Sequence, residues 1–248
     1  MASSYTFRNV ARMEWIKLRT LRSVRWTLLS ALAGMIGIGI AAGFNTRNPK
    51  GDVTSNILVG GALGSVLFAV LGVLVMTSEY SSGTIRATLA AIPRRPLVLA
   101  AKAAVWGTTA LAAGELVTFA GFLAGAAFVH GAVPRPALSQ PGVLRAVVLS
   151  GVYLCLVGLI GLAAGVIVRH GAAAITAVVA LVFVAPLAGL AATPAGQYLP
   201  ELIYANALGA TKPVQGFTLS PWAGLAIIAA YVVVLLAVGG WLLTRRDA

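Results

Sequence analysis

Six side chains are the whole supply of carboxylate chemistry in this sequence: Glu14, Asp52, Glu79, Glu115, Glu201 and Asp247. They are scattered, whereas metal-assisted phosphoryl transfer needs carboxylates clustered around the ion. The two histidines, His130 and His170, each end an apolar run with no Cys or carboxylate cluster beside them, so neither builds a metal site. They also sit in different loops, away from the serines of the apolar runs, which leaves no nucleophile with a base in reach. The single cysteine, Cys155, lies inside an apolar run and excludes both an intrachain disulfide and a thiol metal site. No Gly-x-x-x-x-Gly-Lys-Ser/Thr phosphate loop occurs; the nearest string, Gly209-Ala-Thr-Lys212, runs straight into Pro213. The expectation is a chain with no catalytic residues, no metal and no cofactor of its own. If ATP drives it, another chain must hydrolyse the nucleotide.

Glu115 is the acid with the most unusual setting, near the middle of a long apolar run. An ionisable group at that depth costs roughly 2.5–3.5 kcal/mol to insert, which makes it a possible intramembrane site. Two readings stand side by side. Glu115 is a hydrogen-bonded group facing another helix, near Thr118, or it is a proton-coupling group of a secondary transporter.

The elements that must position these residues follow from composition. The 248 residues are 59% apolar and 10% charged, against about 25% charged in soluble domains. That is too little charge to cover a water-soluble globule. The net charge of +12 invites a nucleic-acid reading, but the basic residues cluster between apolar runs and form no reader motif. Spans need roughly 20 mostly apolar residues. Six windows qualify, at about 26–44, 57–78, 103–129, 146–168, 172–190 and 222–243. The fourth and fifth are split at Arg169-His170-Gly171, because one helix of some 45 residues would be about 65 Å long. The first apolar core exceeds the roughly 7–15 residues of a secretory signal and reads as a retained helix.

Orientation follows from Lys and Arg. Thirteen fall on the face that holds both termini and the second and fourth loops, and five on the other: Arg47, Lys50, Arg135, Arg145 and Lys212. Both termini are therefore expected in the cytoplasm. Residues 1–25 form a segment of their own ahead of a 26–248 membrane domain. Within it, Phe7, Val10, Ala11, Leu18, Leu21 and Val24 share one helical face, while Arg8, Arg12, Arg19 and Arg22 share the other. This is either an interfacial helix, with Trp15 as an anchor and its arginines on anionic lipid, or a solvated basic arm. Gly39/Gly43, Gly60/Gly64, Gly121/Gly125 and Gly161/Gly165 are spaced for close helix packing.

The second loop carries the most information. Tyr80 to Ala91 is too short and polar to span, and Ser81 or Ser82 could cap a helix there. Ile85, Leu89 and Ile92 form an apolar stripe, expected to be available to a partner, and Pro93 ends the helix. Arg94 and Arg95 hold the following turn at the inner surface.

Glu79-Tyr-Ser-Ser-Gly-Thr84, with Leu89, Pro93-Arg94-Arg95 and Ala101-Lys102, resembles the loop between the second and third helices of bacterial type-2 ATP-binding-cassette permeases. The Glu14-Trp-Ile-Lys17-Leu-Arg-Thr-Leu-Arg22 arm is similar to that family's interfacial helix. The likeness covers the whole chain in layout and is specific only at the Glu-x-x-x-Gly-Thr loop; the Ala-, Gly- and Arg-rich style looks actinobacterial. The resemblance implies an all-α, six-span exporter subunit of the bacterial inner membrane. Separate cytoplasmic ATPase subunits would bind the ATP and Mg, and a second permease copy or paralogue would complete the pathway. Glu79, Tyr80, Gly83, Thr84, Ile85, Arg86 and Leu89 would form a coupling helix docked on the ATPase, with Glu79 also free to pair with a basic group there. The outer loop from Ala191 to Ser220 would carry a short re-entrant helix, with Gln197 to Leu208 as its source.

Overall fold

The computed structural model describes residues 6–20, 22–46, 52–131, 133–184, 194–208 and 218–245, the backbone alone at residues 22, 23 and 183. The described residues are helical, with no strand among them. Arg47, Lys50, Gly209 to Pro213, Arg246 and Asp247, all weighed in the sequence, lie outside them, as does Leu21.

Helix α1 (Phe7–Thr20) precedes α2 (Arg22–Asn45), and α3 (Val53–Leu58) leads into α4 (Gly60–Ser81). A short α5 (Thr84–Ala91) follows, then α6 (Arg95–Ala127) and α7 (Val143–Val168). Next come α8 (Gly171–Val179), continued by a π-helical turn at Ala180–Val184, and a 3₁₀ turn at Pro194–Tyr198. The chain closes with α9 (Pro200–Leu208) and α10 (Pro221–Arg245). Among the described residues five segments are long and apolar enough to cross a bilayer: Val24–Asn45, Val53–Ser81, Arg95–Ala127, Val143–Val168 and Pro221–Arg245. By length and composition the chain is a multi-pass helical membrane protein. The expected span at 172–190 is present only as the shorter apolar helix Gly171–Val182, and residues 185–190 of that window lie outside the described residues.

Helix α7 is the centre of the bundle: Val143, Val147, Leu149, Tyr153, Leu154, Val157 and Leu162 are fully buried. Small residues let its neighbours approach. A Cβ on Gly114 of α6 would come 2.7 Å from the Gly151 carbonyl oxygen of α7, and one on Gly161 or Gly72 would strike the α4–α7 backbone. The Gly39/Gly43 and Gly121/Gly125 pairs meet each other, α2 against α6. A Cβ on Gly39 would lie 2.6 Å from Gly121 O, and one on Gly125 2.6 Å from Gly39 O. With no side chain in the way, backbone dispersion replaces the hydrophobic drive that lipid does not supply.

Each end of the bundle has its own polar ties. At one end the Arg95 guanidinium donates to the Leu243 carbonyl at 2.8 Å, joining α6 to α10. The Arg169 guanidinium stands 5.6 Å over the Tyr80 ring there. Arg169 also turns α7 into α8 with a left-handed backbone (φ 62°), unusual for a residue with a side chain. At the opposite end Asp52 caps α3 through the Thr54 and Ser55 amides at 3.1 and 3.2 Å. Helix α9 folds back onto α3 and α4 there, where Tyr204 donates to Leu58 O at 2.7 Å and Ser55 to Leu208 O at 2.8 Å. The helix expected within Gln197 to Leu208 thus exists as the 3₁₀ turn plus α9.

Candidate functional site: a ring of four charges beneath a short helix

Helix α1 buries Val10, Glu14 and Leu18, one row at a four-residue interval with a carboxylate in its middle. Helix α6 begins at Arg95, with Pro96 in its first turn, two turns earlier than the 103–129 window. Lys102 therefore stands inside the helix rather than in a loop, and only 3% of it is exposed. Glu79 lies in the last turn of α4, 7% exposed. These three residues and Lys17 close a ring of alternating sign.

Lys102 Nζ donates to Glu79 Oε1 at 2.8 Å and also to Glu14 Oε2. Lys17 Nζ donates to Glu14 Oε1 at 3.0 Å and to Glu79 Oε1 at 2.9 Å. Each carboxylate meets both ammonium groups, and the four charges sum to zero. Burial alone would pull the Lys17 ammonium down, but the Glu79 and Glu14 carboxylates outweigh it and hold the group above its ordinary value. The third bond of Lys17 Nζ goes to Thr88 Oγ1 on α5, at 3.1 Å. One ammonium thus ties together α1, α4 and α5, and its partner Lys102 adds α6.

Helix α5 lies over this ring. Its first cap is Gly83, at φ 71° and ψ 0°, with no side-chain cap. The Ser81 and Ser82 capping expectation is corrected. Both hydroxyls bond back to Ser78 O, at 3.1 and 2.7 Å, because the chain turns through a left-handed glycine instead. A Cβ on Gly83 would meet nothing within 4 Å, so the glycine is needed for its φ and not for space within the chain.

The apolar stripe is corrected too. Ile85 (3% exposed), Leu89 (8%) and Ile92 (7%) join the protein's own hydrophobic core and are not offered to a partner. Burying them is what seats so short a helix on the bundle. The outward face is Gly83, Thr84, Arg86, Ala87 and Ala90, with Pro93 and Arg94 beyond. Glu79 points into the bundle, where its Oε1 accepts from two lysines of its own chain. Tyr80 is half-buried against Arg169.

On α1, Arg8, Arg12, Trp15 and Arg19 are exposed, with Arg19 6.0 Å over the Trp15 ring. The side chain of Arg22 lies outside the described residues.

Glu115 stands apart from the ring, on the face of α6 that meets Gly151 of α7. A Cβ there would lie 2.5 Å from its carboxyl carbon. Thr118 does not serve its carboxylate: the hydroxyl donates to the Gly114 and Glu115 carbonyls at 3.0 and 3.1 Å. Sequence reasoning missed a second polar cluster at the far end. Tyr153 OH donates to Glu201 Oε2 at 3.1 Å and stacks on Tyr204 at 4.6 Å between centroids. Among the described residues no group of three His, Cys, Asp or Glu could hold a metal ion. The ring holds no nucleophile beside a base; it fixes the relative positions of four helix ends.

In comparison with known proteins, no family model and no curated protein matches this sequence.

Proposed function

We propose that the chain is the membrane-spanning permease subunit of an ATP-binding-cassette exporter in a bacterial inner membrane. In this reading six helices span the bilayer and both termini are cytoplasmic. Cytoplasmic ATPase subunits carry the ATP and Mg, and a second copy or a paralogue completes the pathway. Helix α1 lies along the inner lipid surface, with Arg8, Arg12, Trp15 and Arg19 toward the headgroups. The observation that carries the reading is α5 itself: a short helix off the spans, small and basic on its outer face, bonded through Thr88 to the four-charge ring. A displacement applied to α5 by a partner would reach α1, α4 and α6 together, because Lys17, Glu79, Glu14 and Lys102 leave no single helix free to lag. The docking residues are then Gly83, Thr84, Arg86, Ala87 and Ala90, with Glu79, Ile85 and Leu89 acting behind them.

One observation favours a second reading, a proton-coupled secondary transporter. Glu115 Oε2, on a helix long and apolar enough to span, is buried and has no hydrogen-bond partner among the described residues. Purification in mild detergent, followed by ATPase assay of the complex, separates the two. The permease reading expects a co-purifying ATPase whose activity and retention fall with Ala90→Asp or Arg86→Glu, while the permease melts unchanged. Transport in ATP-free vesicles that Glu115→Gln abolishes would replace it with the carrier reading.

A further inference from the structure

Two arginines are left over once the ring is closed. Arg19, in the last turn of α1, and Arg25, in the first turn of α2, are both exposed. Among the described residues neither meets a carboxylate. The nearest acid in sequence, Glu14, is held by Lys17 and Lys102. Both arginines line one partly open cavity of about 270 Å³ at the junction of α1, α2 and α6. The rest of its wall is mostly apolar, with Leu18 from α1 and Val24 and Leu28 from α2; Thr109 of α6 and Trp15 complete it, and no carboxylate lines it. The cavity stands where the chain enters its first long apolar segment, since Val24 opens the stretch Val24–Asn45 that is long enough to span. At that depth a phospholipid's phosphate meets the beginning of its acyl chains.

We infer that this cavity seats the phosphate of an anionic phospholipid between Arg19 and Arg25, with the start of one acyl chain against Val24 and Leu28. Charge decides the class. Guanidinium forks match phosphate oxygens in pairs, and both forks here lack an acid of their own. A choline lipid also brings a phosphate, but its ammonium finds two like charges and no carboxylate. A net anionic head brings the phosphate without that repulsion. Basic residues beside a span attract anionic lipid in general; two of them on one apolar-walled hollow give the attraction a fixed place. The inference rests on α1 lying along the lipid surface and is independent of any ATPase.

Trp15 lines the same cavity and serves as the reporter. The full chain is placed in phosphatidylcholine nanodiscs that carry rising fractions of a lipid brominated high on its acyl chains. That lipid is phosphatidylglycerol in one series and phosphatidylcholine in the other. The emission of Trp15 is the difference between the chain and its Trp15→Phe variant. Quenching by phosphatidylglycerol should be half complete at a mole fraction about tenfold lower than by phosphatidylcholine. Arg19→Gln with Arg25→Gln should bring the two lipids to within about twofold of each other. Thr109→Phe, which fills the cavity and leaves both arginines, should do the same; if that variant fails to insert, the arginine pair alone decides. Arg8→Gln with Arg12→Gln removes equal charge from α1 outside the cavity and should keep the preference. Equal quenching by both lipids would leave α1 on the membrane and overturn the site. So would a preference that survives loss of Arg19 and Arg25, or one that loss of Arg8 and Arg12 reduces as much. Absence of Trp15 quenching by either lipid would take α1 off the surface, and the inference with it.

Discussion

Lys102 on α6 and Glu79 on α4 meet at 2.8 Å in a site where both side chains are more than nine-tenths buried. Taking two ions out of water costs several kcal/mol each, so such a pair endures only when every charge is met. Here Glu14 and Lys17 complete the set. Removing one member should therefore cost more than removing a matched pair. Lys102→Met leaves two carboxylates sharing one ammonium and is expected to lose about 3–5 kcal/mol. Adding Glu79→Met restores neutrality and should recover a large part of it. Melting curves of the four proteins in one detergent give the coupling directly; a loss in the double variant equal to the sum of the two single losses would show that the pair is not coupled.

The ring should also set an alkaline limit. The Lys17 group titrates above its ordinary 10.5 in the folded chain. Its contribution is thus complete below that value and is lost as the pH rises through the folded one. Thermal stability should stay level from neutrality up to the ordinary lysine range and fall beyond it. In Lys17→Met the fall should be weaker, relative to that variant's own neutral value.

On α5 the two faces should respond in opposite ways. Leu89→Ala removes buried apolar volume and is expected to destabilise the chain by about 2–5 kcal/mol. Ala90→Asp, one residue on and exposed, should stay within about 0.5 kcal/mol of the parent. A destabilising Ala90→Asp together with a silent Leu89→Ala would mean the helix is seated the other way round.

Glycines supply a control within one helix. A side chain at Gly39 collides with the Gly121 carbonyl, while Gly34 and Gly37 have nothing within 4 Å. Gly39→Ala should cost about 1–3 kcal/mol, as overpacking does, and Gly34→Ala and Gly37→Ala should be neutral or better. Denaturation in a mixed micelle distinguishes them.

For topology, single cysteines in a Cys155→Ala background are the measure. Ala137 is exposed at the end opposite the ring, and in intact cells Ala137→Cys should label with an impermeant thiol reagent. Arg94→Cys should label only after the membrane is opened. The reverse pattern would invert the assigned orientation.

Much of this was legible in sequence. The helical class, four of the span windows to within a turn or two at most ends, the Arg169 turn and the glycine pairs all rest on local pattern, and local pattern survives folding. The short helix before Pro93 was legible for the same reason. What its apolar stripe would face was not. Ile85 and Leu89 carry the same spacing whether they meet a partner or their own bundle, and only the seating of α5 decides. The ring was hidden differently. Glu79 is 62 residues from Lys17 and 23 from Lys102, and nothing local says that three helices end at one point. One hint was present: Glu14 falls midway between Val10 and Leu18 on the face that becomes buried. A lone carboxylate in an apolar row asks for a cation from elsewhere.

The same spacing gives assembly an order. Glu14 and Lys102 are 88 residues apart, about 4–18 s of synthesis at the usual rate of elongation. When Glu79 leaves the ribosome the two acids have only Lys17 between them, and the fourth charge arrives with the start of α6. The amino-terminal arm thus cannot lock down before the chain has committed its third long apolar segment. A ribosome stalled short of Lys102 would carry an arm that is still loose, and a quality-control protease would meet it in that state.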